Sequence, residues 1–124
     1  LISPGYASCS SNARAMRVEE WQNYIGAELH KSFSPLFNPT FDQSVKAAFG
    51  AILRRKYQWV SEQLADREYL CGPVFTGADA YLYTVTRWAA PMKLDLSDLE
   101  PLQRYMNTVG GRPAVRAALQ AEGL

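Results

Sequence analysis

The sequence predicts an all-α domain, a bundle of five or six helices around one capped, buried central helix. Three observations predict it. Apolar residues recur at three- and four-residue steps through most of the chain. No segment alternates with the period of two that a half-buried strand requires. Thr76-Gly77-Ala78-Asp79 is a helix-start signature. In that signature the Thr76 hydroxyl can accept from the backbone N–H three residues on, and the Asp79 carboxylate can reach back to the Thr76 N–H. The helix that follows, Ala78 to Ala90, is apolar round most of its circumference and belongs inside a core. Bare N–H donors at a buried helix start are costly, so Thr76 and Asp79 are assigned a structural role.

In chain order, residues 1–14 are rich in serine and contain a Pro4-Gly5 pair, which reads as an interdomain linker ahead of a helical domain over 15–124. From Arg14 onward, Val18, Trp21, Ile25, Leu29 and Phe33 mark one apolar face of a helix of about five turns. Ser34-Pro35 is expected to end it, because a residue before proline is pushed away from helical backbone angles. Asn38-Pro39-Thr40 reads as loop. A second amphipathic helix follows on Val45, Phe49, Leu53, Tyr57, Val60 and Leu64, with Arg54-Arg55-Lys56 mostly on its solvent side. Cys71-Gly72-Pro73 is a turn into the capped helix. Leu99, Leu102, Tyr105, Met106 and Val109 form a fourth helix stopped at Gly110-Gly111. Pro113 opens a short last helix carrying Val115, Ala118 and Leu119, since a first-turn proline has no N–H to satisfy.

At 124 residues and 48% hydrophobic, the chain can bury the core of one ordinary domain. Thirteen basic and twelve acidic residues leave a net charge of +1 with no basic run longer than Arg54-Arg55-Lys56, which gives no support to nucleic-acid or membrane-surface binding. No apolar stretch approaches the roughly 18 residues of a spanning helix. Leu1-Ile2-Ser3-Pro4-Gly5 lacks the cationic start and apolar centre of a signal peptide. Cys9 and Cys71 are far apart and match no metal or redox spacing; one disulfide is the less favoured alternative, and the cytoplasm is the default compartment. No helix pairs His30 with a carboxylate at ligand spacing, so no metal site is expected.

His30 and Lys31 are the one pair with catalytic chemistry. A cation or N–H donor beside a thiol favours the nucleophilic thiolate, and histidine titrates close enough to neutrality to take a proton. The same two residues fall in the last turn of the first helix, where basic side chains complement the helix dipole by about 0.3–1 kcal/mol whatever their function. Spacing alone favours the dipole explanation. Phe33, Leu36 and Phe37 follow, and beside a site they would form an apolar wall; Phe33 serves core packing equally well.

Four stretches carry a family resemblance. They are Glu20-Trp21-Gln22-Asn23-Tyr24-Ile25 through Glu28-Leu29-His30-Lys31 to Phe33-Ser34-Pro35-Leu36-Phe37; Cys71-Gly72-Pro73 through Leu82; Arg87-Trp88-Ala89; and Arg112-Pro113-Ala114-Val115 to Glu122-Gly123-Leu124. In this order they resemble the C-terminal helical domain of a glutathione transferase, most of all the bacterial beta class. The Thr-x-x-Asp box is common to the superfamily, whereas Glu-Leu-His-Lys followed by Pro-Leu-Phe is much more specific.

The resemblance implies a two-domain enzyme that conjugates glutathione, its co-substrate, to hydrophobic electrophiles. It puts His30 and Lys31 at the glutathione site, and this reverses the reading from spacing. It makes Phe33, Leu36, Phe37 and Trp88 lining of the electrophile pocket. Asn23 matches a position that reaches toward the partner subunit's glutathione, which makes a homodimer the expected assembly. The family's thioredoxin-like N-terminal domain and its characteristic cysteine are outside this sequence. The linker is longer than usual, and Gly77 stands where an aliphatic residue is usual. The alternative is an assembly module without transferase activity, as the same helical fold serves in the gamma subunit of the eukaryotic elongation-factor complex and in some aminoacyl-tRNA synthetases.

Overall fold

The computed structural model describes residues 11–123. Most of the expected linker, with Cys9, lies outside the described residues. The expected all-helical architecture is present: α1 (Ser11–Tyr24), α2 (Ser34–Phe37), α3 (Gln43–Leu64), α4 (Gly77–Thr86), α5 (Glu100–Gly110) and α6 (Pro113–Ala121). Among the described residues there is no strand, only an isolated bridge between Tyr69 and Gly72.

The first helix departs from expectation at its C-terminal end. It does not stop at Ser34-Pro35. It passes into a π-helical turn over Ile25–His30, tightens to a 3₁₀ turn over Lys31–Phe33, and continues as α2. The π turn is closed by Lys31 N–H donating to the Gly26 carbonyl. Trp21, Ile25, Leu29 and Phe33 are all fully buried, and their strict four-residue spacing explains the wide turn. In a regular α-helix such a row drifts by about 40° per step, and a turn with more residues removes part of that drift. The 3₁₀ turn then lets Pro35 occupy the first turn of α2, where its missing N–H breaks no bond. Leu36 and Phe37 therefore stand on a helical turn and not on the irregular segment expected.

Helix α3 is capped by Asp42, whose carboxylate accepts from the Val45 N–H at 3.0 Å. Leu53, Tyr57, Val60 and Leu64 are buried as predicted, but Phe49 is exposed and stacks on Phe41. The basic cluster is less free than expected. Arg54 pairs with Asp98, and Lys56 reaches the Glu28 carboxylate at 3.8 Å; Arg55 remains exposed.

Helix α4 starts at the predicted capping box. Its regular part ends at Thr86, earlier than the expected Ala90, and Trp88 and Ala89 close i→i+3 bonds to Val85 and Thr86. The run Thr84-Val85-Thr86 is the physical reason, because β-branched side chains crowd the preceding turn and Thr84 bonds back to the Ala80 carbonyl at 2.8 Å. The helix is buried on one face only: Ala78, Asp79, Leu82, Val85 and Thr86 point inward, while Ala80 and Thr84 are exposed.

Asp79 does more than cap. Its carboxylate is fully buried and accepts from Thr76 N–H (2.9 Å), Leu70 N–H (2.9 Å) and the Tyr105 hydroxyl (2.8 Å). It thereby ties the 69–72 turn and α5 to the start of α4. Burial, then the neighbouring Asp79 charge, pushes the Tyr105 phenol well above its ordinary range and keeps it a donor. Ser61 of α3 accepts from the Leu102 N–H at 3.1 Å, satisfying one of the orphan donors at the start of α5. Helix α6 contributes no fully buried side chain; Val115 and Leu119 are half-covered.

Candidate functional site

The π turn ends at His30 and places its ring on the outer edge of the core. His30 Nδ1 lies 2.7 Å from the Tyr81 hydroxyl, which projects from the second turn of α4. The imidazole packs edge-to-face on Tyr81 and on Trp88, with ring centroids 5.8 and 5.1 Å apart. Trp88 is the hub of this cluster, since Phe33 and Phe37 also meet it edge-on, at 5.6 and 5.7 Å. Such pairs add about 0.5–1.5 kcal/mol each beyond area burial. Trp88 can serve three partners because the tightened turn after Thr86 takes it off the regular helix path.

The π-to-3₁₀ junction is held by side chains. The Glu28 carbonyl accepts from the Ser32 hydroxyl at 2.6 Å and from the Lys56 ammonium at 3.5 Å. Lys56 thus braces the turn that carries His30 from across α3. Tyr24, just before that turn, has its phenol pushed up to about 12 by burial and by the Glu28 charge, so it stays protonated.

The hydrogen bond to Tyr81 constrains what His30 can do. When Tyr81 donates to Nδ1, the neutral ring carries its proton on Nε2 and offers one N–H donor. When the ring is charged, Nδ1–H donates to the phenol oxygen and Nε2–H is again a donor. With the neutral proton on Nδ1, Nε2 is a lone pair able to take a proton. Each form has a use beside a thiol. Lys31 follows immediately, exposed and without a partner among the described residues, so its charge is uncommitted.

Apart from the exposed Lys31, the expected site residues separate into three sets. His30, Phe33, Phe37 and Trp88 form one contiguous cluster, joined by Tyr81. Phe33 is fully buried and supports Trp88 from beneath, whereas Phe37 is 48% exposed and Trp88 is half-buried. Leu36 is buried and lines a different cavity, between α3 and the 91–94 turn. Asn23 is exposed on α1 with no side-chain partner among the described residues. Tyr81 was not expected as a site residue. The sequence signal was available, since Tyr81 lies inside the stretch that carries the resemblance, but only the packing of α4 on the π turn pairs it with His30.

An open cleft of about 560 Å³ runs along the exposed face of α4, bounded by Tyr83, Thr84 and Arg87 and, from α6, by Val115 and Leu119; Trp88 reaches its end. Among the described residues no group of His, Cys, Asp and Glu could hold a metal ion. No helix there is long and apolar enough to cross a membrane.

A helical bundle with a box-capped central helix and a histidine at the end of the π turn after α1 has the architecture of a glutathione S-transferase C-terminal domain. The chain belongs to that family: residues 24–113 match the glutathione S-transferase C-terminal domain. It is 50% identical over 105 residues to the glutathione S-transferase GstA of Escherichia coli O157:H7, a match covering 85% of this chain and 52% of that protein. The fold matches the bacterial glutathione S-transferase BphK, solved as a ternary complex, with a TM-score of 0.84 and 41% identity over 99% of this chain and 60% of that one. It also matches the beta-class glutathione S-transferase of Sphingomonas chungbukensis, with a TM-score of 0.85 and 32% identity over 97% of this chain and 60% of that one. The chain spans about half the length of the curated relatives it matches.

Proposed function

We propose that this chain is the helical half of a two-domain glutathione transferase that joins the glutathione thiolate to hydrophobic electrophiles, acting in the cytoplasm as a homodimer. The observation that carries the reading is the His30–Tyr81 hydrogen bond at the tip of the π turn, beside the uncommitted Lys31 cation and against Trp88. A thioredoxin-like domain outside this sequence would hold most of the tripeptide. His30 would donate to the glutathione sulfur and Lys31 would supply positive charge, so that the thiolate is favoured over the thiol. Phe37 and Trp88 offer the apolar surface for the electrophile, with Phe33 beneath them. Asn23 would reach glutathione in the partner subunit. The thiolate forms the new bond to the electrophilic carbon, and the leaving group departs with the electron pair of the bond that breaks.

The test is conjugation of 1-chloro-2,4-dinitrobenzene by the natural full-length protein and by its His30→Ala and Lys31→Ala variants. Each variant is expected to raise the KM for glutathione and lower kcat/KM by about tenfold or more, as loss of a charged hydrogen bond of about 1.5–3 kcal/mol requires. Full activity in both variants would remove these residues from the site. A full-length protein that neither conjugates nor binds glutathione would make this an assembly module.

A further inference from the structure

A carboxylate stands three residues before Lys31, and the fold sends it elsewhere. Glu28 and Lys31 are spaced i and i+3, a separation that brings opposite charges together on an α-helix. In regular α geometry the two side chains would lie about 60° apart round the axis. Glu28 falls inside the π turn, which winds less per residue, so Lys31 stops further short of a full turn and the pair is spread. The carboxylate is met instead from α3, where Lys56 Nζ lies 3.8 Å from Glu28 Oε1. The same ammonium is 3.5 Å from the Glu28 carbonyl oxygen and 3.4 Å from the Ser32 hydroxyl, so it touches the chain on both sides of the His30-Lys31 pair. Lys31 itself is exposed and forms no ion pair among the described residues.

As a contribution to stability the Lys56–Glu28 pair is small, because both side chains are partly exposed and ion pairs open to water hold a fold only weakly. Its consequence lies in where the Glu28 charge goes. Along the chain the nearest lysine or arginine to Glu28 is Lys31. Without Lys56, the Glu28 carboxylate would turn to that neighbour. It would then cancel the positive charge beside His30 and repel an approaching anion. Lys56 is not itself free to meet a ligand, since its ammonium is already committed to Glu28 and Ser32.

We propose that Lys56 is a positioning residue for conjugation: it holds the Glu28 carboxylate away from Lys31, so that the Lys31 ammonium stays free for the glutathione anion. The proposal rests on the reading of Lys31 as a glutathione-site residue. The test uses the natural full-length protein with Lys56→Met, Lys56→Arg and the Lys56→Met/Glu28→Gln pair. Two quantities are read: the KM for glutathione in conjugation of 1-chloro-2,4-dinitrobenzene, and the rate at which N-acetoxysuccinimide acetylates Lys31, followed by peptide mass spectrometry. At low salt, Lys56→Met should raise that KM about two- to fivefold with kcat nearly unchanged. It should slow Lys31 acetylation by a similar factor, because a carboxylate partner favours the unreactive ammonium. Lys56→Arg should match the parent, and adding Glu28→Gln to Lys56→Met should restore both quantities. A lysine that only shaped the turn would show no such rescue. Unchanged Lys31 acetylation in Lys56→Met would overturn the proposal, and so would a double variant as slow as Lys56→Met. If acetylation follows the expected pattern while Lys31→Ala leaves the KM for glutathione unaltered, the exchange of Glu28 between the two lysines stands and the assignment of Lys31 to the glutathione site falls.

Discussion

Asp79→Asn tests the reading of α4 most directly. The change is nearly isosteric, so its cost comes from hydrogen bonding and charge. One carboxylate oxygen serves Leu70 N–H and the Tyr105 hydroxyl, and the other serves Thr76 N–H at 2.9 Å and the Thr76 hydroxyl at 3.3 Å. An amide must turn its NH₂ toward one of these pairs. The hydroxyl of that pair can rotate and accept, but the backbone N–H cannot. Leu70 is fully buried and Thr76 only partly, so the amide should face Thr76 and forfeit its cap. Loss of a cap costs about 0.5–2 kcal/mol, and conversion of the remaining charged bonds to neutral ones adds about 1–2. The expected total is about 2–4 kcal/mol, a large share of the roughly 5–15 kcal/mol that holds a domain folded. Asp79→Ala orphans both N–H groups and should cost more. The assay is urea unfolding of the full-length protein by circular dichroism, with conjugation measured per folded molecule. Activity per folded molecule should hold. A loss of about 0.5 kcal/mol or less, the size of an ordinary surface change, would refute the accounting.

Three further expectations follow from the site and the caps. Tyr81→Phe removes the partner of His30 Nδ1 and should lower kcat/KM about three- to tenfold with unchanged helical content; a kcat/KM equal to the parent's would exclude Tyr81 as the group that positions His30. Phe37→Ala, at an exposed ring, should raise KM for apolar electrophiles with little change in Tm, whereas Phe33→Ala, at a fully buried one, should cost about 3–5 kcal/mol of stability; equal effects on Tm would contradict the division between surface and support. The Asp42 carboxyl is held below its ordinary 3.8 by the Val45 N–H and then the Ser44 hydroxyl. Because the folded value is the lower one, its stabilisation is present above pH 3.8 and is lost as pH falls through the folded value. Acid titration of Asp42→Ala should lack that component, seen as a smaller fall in Tm between pH 5 and pH 3 than in the parent.

Local chemistry alone determined much of this fold. Capping residues, glycine and proline stops, and three- to four-residue periodicity act within a turn or two, so the starts of α4, α5 and α6 and the buried row from Trp21 to Phe33 could be read along the chain. The family could also be read, because the Glu28–Lys31 stretch and the closing residues keep their types and order. Long-range packing decided the rest. The π turn exists because a four-residue apolar row must stay on one core face, and its neighbour Pro35 is tolerated only because the following 3₁₀ turn resets the bonding register. Asp79 reads as a cap along the chain, but its bonds to Leu70 and Tyr105 join residues 9 and 26 positions away. The pairing of His30 with Tyr81, across 51 positions, has no local signature. Each depends on which faces of separate helices meet, and that is settled only when the core closes.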